Sequence, residues 1–264
     1  MGGKKIFNSM NGDLVPENYN SQNLVSMWRE FIDWEKRRAG EDNFLVNQFH
    51  TRNVKKVFDA SLGDGCDSIY LLKQEFDVTS NEIDKVFLDK ALENAKVENV
   101  ELKVTSLDWR KLDTGLAEAS FDAVICLGNS LTYLFTEKDQ LETLRQFKRI
   151  LRNGGVLIID ERNYQYILDN REKILQGDFQ YSGKYVYCGD KVHGKPVEIS
   201  DERVKMEYTD ERTGKKGYLV LFPFKRGEVK NLLAKSGLAS IEQFSDYKVG
   251  ESHSADFYQY VCIK

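Results

Sequence analysis

Polar and glycine residues recur in this chain just where apolar runs end. The run from Val54 closes in the turn Asp59-Ala60-Ser61-Leu62-Gly63-Asp64-Gly65. Glu82 ends the next run, and Asp108-Trp109 follows a third. Leu127-Gly128-Asn129 ends FDAVIC, and Asp160-Glu161-Arg162 ends GVLIID. In an open α/β sheet, ligands lie beyond the carboxyl ends of the strands, where strand order reverses. Gly63 and Gly65 allow a tight turn and close approach of the backbone. A dinucleotide fingerprint needs a third glycine ahead of a helix that receives a pyrophosphate. Here Ser68 stands at that place, and Asp59 and Asp64 bring negative charge. Such a loop suits a cationic amino-acid ligand, which points to S-adenosylmethionine (SAM) rather than a nicotinamide dinucleotide. Glu82, about 20 residues past the loop, is placed to accept from both ribose hydroxyls. Asp108 beside Trp109 suits adenine, with the ring packing on the base and the carboxylate holding its amino edge.

The elements that position these residues follow from periodicity. Leu24, Met27, Trp28, Phe31 and Ile32 recur at helical spacing and predict a helix from Ser21 to Phe49. Strand and helix then alternate from about residue 54 to 160. Strands are expected at Val54 to Ala60, Phe76 to Ser80, Val100 to Thr105, Phe121 to Gly128 and Gly155 to Asp160. A helix starts near Cys66, another runs from the N-cap Asp84 to Ala95, and a third spans Glu137 to Leu151. Asn153-Gly154-Gly155 reads as that helix's glycine stop. The alternation predicts a doubly wound α/β sheet. Beyond Asn163, KYVYCGDKV, VEISDERVKMEYTDE and KKGYLVLFPF alternate polar and apolar residues and predict antiparallel strands. A helix from Arg226 to Lys235 and strands near Ala239 to Tyr247 and Phe257 to Ile263 close the chain.

Composition narrows the partners. The 264 residues carry 42 acidic and 38 basic side chains, a net of −4. That balance gives no electrostatic reason to expect nucleic acid or an acidic membrane. No apolar run approaches the roughly 20 residues of a membrane span, and the polar first 20 residues lack a secretion-signal core. Cys66, Cys126, Cys188 and Cys262 are isolated, as are His50, His193 and His253. No metal site is expected, and a reducing cytoplasm fits.

Several segments together resemble one family. They are VPENY (15–19), VFDASLGDGCDSI (57–69), FDVTSNEID (76–84), FDAVICLGNS (121–130), GGVLIIDERNYQYIL (154–168) and SDYKVG (245–250). They are similar to the glycine N-methyltransferases and the related glycine/sarcosine and sarcosine/dimethylglycine N-methyltransferases of betaine synthesis. The glycine loop alone marks only the SAM superfamily; ICLGNS with IDERNYQYIL is the specific part. The resemblance implies a Rossmann-like class I methyltransferase with a seven-stranded, mostly parallel sheet. It implies a single methyltransferase domain over 1–264. The parts are an N-terminal lid (about 1–50), a SAM-binding core (51–164), an inserted antiparallel cover (165–225), and a closing helix and strands (226–264).

The resemblance also assigns residues. Tyr19, Trp28 and Arg38 would cover SAM, with Arg38 gripping its carboxylate. Asp59, Ala60 and Gly63 would hold the amino-acid part, Glu82 the ribose, and Asp108 and Trp109 the adenine, with Leu127 and Ser130 lining the cofactor. Asn129 and Arg162 would hold the substrate. Tyr19, Tyr187, Tyr208 and Tyr247 would ring the reaction centre. Phe31 stands where the animal glycine enzyme has a tyrosine, Tyr133 where a histidine is common, and Glu161 where a histidine precedes the arginine. The expected reaction is in-line methyl transfer from SAM to the neutral amine of glycine or sarcosine, and of dimethylglycine, releasing S-adenosylhomocysteine. Another small amine, or SAM-binding regulation with weak activity, is the alternative. The expected partner is a small amine, with no nucleic acid and no membrane, for a cytoplasmic monomer or small homo-oligomer.

Overall fold

Apolar runs without polar alternation form the centre of a sheet. The computed structural model describes residues 21–179 and 188–264. Strands β1 (Lys56–Asp59), β2 (Asp77–Asn81), β3 (Lys103–Thr105), β4 (Phe121–Cys126) and β5 (Leu151–Arg162) are parallel, in the order β3-β2-β1-β4-β5. Ala123 to Cys126 are fully buried, as a strand covered on both faces must be. The cover is a separate antiparallel sheet of β6 (Val192–Ile199), β7 (Val204–Asp210) and β8 (Lys216–Leu221). Strands β9 (Ala239–Ser245), β10 (Lys248–Val249) and β11 (Phe257–Ile263) extend the main sheet beyond β5 in the order β5-β11-β9-β10, all antiparallel. The expected seven strands are present, and the two-residue β10 makes an eighth at the edge. Strand order reverses between β1 and β4, so their carboxyl ends bound the crevice where a ligand is expected.

Helices cover both faces. They are α1 (Ser21–Phe31), α2 (Trp34–Glu41), α3 (Phe44–His50), α4 (Cys66–Lys73), α5 (Lys85–Val97), α6 (Glu137–Ile150), α7 (Tyr164–Asp169), α8 (Arg171–Lys173) and α9 (Glu228–Lys235). One core joins Phe58, Val124 and Leu157 to Leu144, Phe147 and Leu232 of α6 and α9. The other face packs Val57, Ile125 and Ile158 on Phe44, Phe49 and Leu71 of α3 and α4. A third cluster joins α1 and α7 to the cover through Leu24, Phe31, Tyr164, Met206, Tyr208 and Leu221. Gly217 of β8 makes this contact possible: a Cβ there would lie 2.7 Å from Leu24 Cδ2. The lid is thereby seated on the cover.

Two sequence expectations change. The single helix from Ser21 to Phe49 is three helices. Asp33 accepts from Lys36 N at 2.9 Å and caps a new start. Asp42 and Asn43 then take φ of +48° and +60°, which no helix continues through. The glycine pair also does not stop α6. Leu151 already has extended φ/ψ, and Asn153-Gly154-Gly155 lies inside β5, where the register with β4 shifts. Gly155 is required there, because a Cβ would meet Arg152 O at 2.8 Å and Asp122 O at 3.0 Å.

Candidate active site

The first loop is built by inward-turned carboxylates. Asp59 is 1% exposed and accepts from Ser61 N at 3.1 Å and Ser68 Oγ at 2.6 Å. Burial, with the nearby Asp67 charge, pushes its carboxyl up to about 7. Asp64 accepts from Trp34 Nε1 of α2 at 3.2 Å, and burial raises it to about 6. Both side chains are buried and brace the loop from within. The backbone carries the loop's open side. Gly63 has φ +56°, and a Cβ placed on it would have Ser61 O, 4.0 Å away, as its nearest neighbour. Across the crevice, a Cβ on Gly128, φ +73°, would find only Ser130 Oγ at 3.8 Å. Bare backbone thus flanks the switch point on both sides.

Glu82 bridges the loop to the second strand. Its Oε2 accepts from Gly63 N at 2.9 Å, and its Oε1 from Ile83 N and Asp84 N, both at 2.9 Å. Burial raises this carboxyl to about 7 despite those amides. Past the third strand, Trp109 is buried and donates Nε1–H to Ala60 O at 2.7 Å. Asp108 is held by Arg110, 2.8 Å from Nη2, and Arg110 also reaches Asp139 at 3.2 Å. Burial opposes ionisation of Asp108, but Arg110 wins and holds it below the usual range.

Asp160 fixes the fourth strand end. It is buried at the end of β5 and accepts from Gly128 N at 3.1 Å and Asn129 N at 2.6 Å. Asn129, φ +64°, uses both ends of its amide. Nδ2 donates to Tyr164 Oη at 2.6 Å, and Oδ1 accepts from Arg162 N at 3.1 Å. Ser130 Oγ donates to Leu127 O at 2.7 Å. Arg162 is 4% exposed, and its guanidinium carbon lies 4.4 Å over the Phe257 ring. Burial keeps the Tyr164 hydroxyl protonated, up to about 12.

An aromatic wall closes this end. Tyr208 of β7 lies 4.9 Å from Phe31 and 5.7 Å from Trp28, and Trp28 meets Phe87 at 6.0 Å. Below it, α2 is locked to α4. Asp67 accepts from Arg37 at 2.9 Å and also pairs with Arg38. Burial alone would raise Asp67, but the two arginines outweigh it and hold the carboxylate ionised. Arg38 also pairs with Glu41 at 2.6 Å and lies 4.5 Å over Tyr70.

Residues 57–155 match the model of a methyltransferase domain family. The chain is 35% identical to a glycine/sarcosine N-methyltransferase of Aphanothece halophytica, over 92% of this chain and 89% of the relative. A glycine/sarcosine N-methyltransferase of Halorhodospira halochloris is also 35% identical, over 91% and 87%. The chain belongs to the glycine/sarcosine N-methyltransferase family. A glycine/sarcosine/dimethylglycine N-methyltransferase of Actinopolyspora halophila is 35% identical over 91% of this chain but 41% of its own length. A SAM-dependent methyltransferase of Clostridium acetobutylicum shares the fold, with a TM-score of 0.68 at 18% identity over 92% of this chain and 96% of the other. SAM use follows from membership, and the strand-end crevice fits that cofactor: bare glycine backbone on both sides and a carboxylate beside the first loop.

Several of these residues hold partners of their own in the fold. Asn129 is expected to orient substrate through its amide, and that amide ties the end of β4 to Arg162 and Tyr164. Arg38 is expected to grip a ligand carboxylate, whereas here Asp67 and Glu41 take its guanidinium. Asp108 faces Arg110 rather than open space. Trp28 stands in the wall beside Tyr208. Tyr247 is expected in the ring of tyrosines. It packs on Phe44 at 5.4 Å and lines one small cavity with Leu127 and Arg37, and Asp246 and Tyr247 both take positive φ in the β9–β10 turn. Tyr19 and Tyr187 lie outside the described residues. Tyr164 is a site residue that sequence reasoning missed. Its signal lies in the ERNY segment, just past the strand end and behind an N-cap, Asn163. Among the described residues no group of three or more His, Cys, Asp or Glu is placed to hold a metal, and no helix is long and apolar enough to cross a membrane.

Glu161 points away from the crevice. Tyr260 donates to its Oε1 at 2.6 Å, and Oε2 is buried with no hydrogen-bond partner among the described residues. Burial raises this carboxyl to about 8 from its usual 4.5. The folded chain thus holds a proton that the unfolded chain releases. Its contribution to stability is complete below about pH 4.5 and is lost as pH rises toward 8. Glu161→Gln is expected to flatten that decline and to be the more stable protein at pH 8.5, by on the order of a few kcal/mol. Thermal midpoints measured from pH 4.5 to 8.5 check this; parallel curves for both proteins would remove Glu161 as the cause.

Proposed function

We propose that this chain methylates the amine of glycine and of sarcosine with SAM, toward betaine. The observation that carries the reading is Arg162, a buried guanidinium at the carboxyl end of β5, beside the strand-end crevice. The relatives named for these two acceptors support it. An acceptor with a carboxylate needs a planar, two-pronged donor, and a guanidinium supplies one.

SAM brings an electrophilic methyl on a sulfonium. The acceptor's lone pair forms the new N–C bond as the C–S bond breaks, and the resulting ammonium later loses a proton to water. Such a displacement depends on alignment and on a dry site. Glu82 would take the ribose hydroxyls on its remaining lone pairs, beside the amide donors. Arg162 would hold the acceptor carboxylate and leave the amine free to point at the methyl. Asn129 would keep Tyr164 and the Arg162 backbone in register, acting as a positioning residue. Burial raises the hydroxyls of Tyr164 and Tyr208 and keeps both protonated. They would orient the amine as neutral donors and accept weak C–H contacts from the methyl. Trp28, Phe31 and Tyr208 would exclude water.

The reading predicts that the carboxylate is what the enzyme selects. Glycine and sarcosine should be turned over, and methylamine and dimethylamine, which lack that group, should react at least about a hundredfold more slowly. Equal rates would sink the assignment of Arg162 and the acceptor class with it.

A further inference from the structure

Arg162 owes its orientation to the strand on its other side. Phe257 is its direct antiparallel partner across β5 and β11. The pair shares one face of the sheet, which places the guanidinium carbon over the ring, 4.4 Å from its centroid. Both residues are 4% exposed. The ring itself is anchored. Asp246, in the positive-φ turn after β9, accepts from Phe257 N at 2.9 Å and from Asp256 N at 3.1 Å. Asn163 N donates to Asp256 O at 2.9 Å, tying the start of β11 to the end of β5.

A guanidinium held over a ring has the side toward the ring closed to water and to carboxylates, so its donors must meet a ligand from the side away from the ring. We infer that Phe257 is a positioning residue for the acceptor: its ring holds the Arg162 guanidinium in place so that the donors meet the substrate carboxylate. The inference rests on the reading of Arg162 as the carboxylate anchor. Phe257 contacts no reacting atom in this scheme and acts only through Arg162. Leucine or methionine keeps the apolar volume and removes the ring face, whereas tyrosine keeps the face.

The test measures acceptor and SAM parameters for Phe257→Leu, Phe257→Met and Phe257→Tyr in the full chain, with SAM affinity by calorimetry as the check of folding. Cation–π stacking at a desolvated site is worth enough to change binding about tenfold. Leucine and methionine should therefore raise the acceptor KM about tenfold, with SAM affinity within about twofold of the parent. Tyrosine should retain the parent KM. In an Arg162→Ala background, Phe257→Leu should cause no further loss in kcat/KM, because the route through Arg162 is already gone. An unchanged acceptor KM in the leucine and methionine variants, or an additive loss in the Arg162→Ala background, overturns the inference. If Arg162→Ala itself leaves the acceptor KM unchanged, the anchor reading fails instead, and the two failures are told apart.

Discussion

Replacing Arg162 with alanine should lower kcat/KM for glycine and sarcosine by about 10²–10⁴-fold while SAM still binds. The magnitude follows from chemistry rather than from burial alone. Hydrogen bonds to a charged group contribute about 1.5–3 kcal/mol each. A two-pronged carboxylate contact loses both, and each 1.36 kcal/mol is a factor of ten in rate. Arg162→Lys should recover only part of the activity, because an ammonium is a point donor without the planar fork. The loss should fall on acceptor parameters, since the backbone N–H of Arg162 bonds to Asn129 whatever the side chain. Steady-state kinetics with varied acceptor at saturating SAM, paired with SAM titration, separate these effects. A loss of SAM affinity equal to the loss of activity would contradict the account, because it would make Arg162 part of the cofactor's cradle.

Glu82→Gln should weaken SAM binding by about 10–100-fold through the loss of charge-assisted acceptance from the ribose. It should also remove a pH dependence. In the unliganded fold the carboxyl is raised to about 7 by burial. Two ribose hydroxyls would stabilise the ionised form, so binding releases a proton whenever the free protein starts protonated. Affinity in the parent therefore rises with pH up to about 7 and then levels, by at most about tenfold per pH unit below that point. The ligand's own ionisations act on both proteins alike, so the difference between the two pH profiles isolates Glu82. Parallel profiles from pH 5.5 to 8.5 would place the ribose elsewhere.

The sheet is legible in the sequence because its signals are local. VFDA, FDAVIC and GVLIID are apolar runs bounded by turn residues, and each forms a parallel strand beside the next. The strand ends follow from the runs, which is how Gly63, Glu82, Leu127, Asn129 and Arg162 stand out from sequence alone. The direction of a side chain is less legible. Asp59 and Asp64 sit in the loop as expected, but the loop's own amide, Ser68 and Trp34 draw them inward, and nothing in their spacing says so. Asp108 has a partner two residues on, Arg110, whose reach sequence order does not reveal. Resemblance places Tyr247 with Tyr208. In the fold it packs on Phe44 of α3 from a turn of two successive positive-φ residues, and such a turn built without glycine leaves almost no sequence signal. Tyr164 is hidden for the opposite reason: its segment stands out as a family marker, while the hydroxyl's bond to Asn129 crosses 35 residues. The break of the lid helix at Asp33 and Asp42-Asn43 is written in capping residues that the apolar period outweighs.

The central claim is methyl transfer to a small amino acid, and mass spectrometry tests it most directly. The purified chain would be incubated with SAM carrying a deuterated methyl group and, in separate reactions, with glycine, sarcosine or dimethylglycine. The account predicts S-adenosylhomocysteine together with labelled sarcosine from glycine and labelled dimethylglycine from sarcosine, and the dimethylglycine reaction shows whether the series runs on to betaine. Binding of SAM without any labelled product from glycine or sarcosine would contradict it.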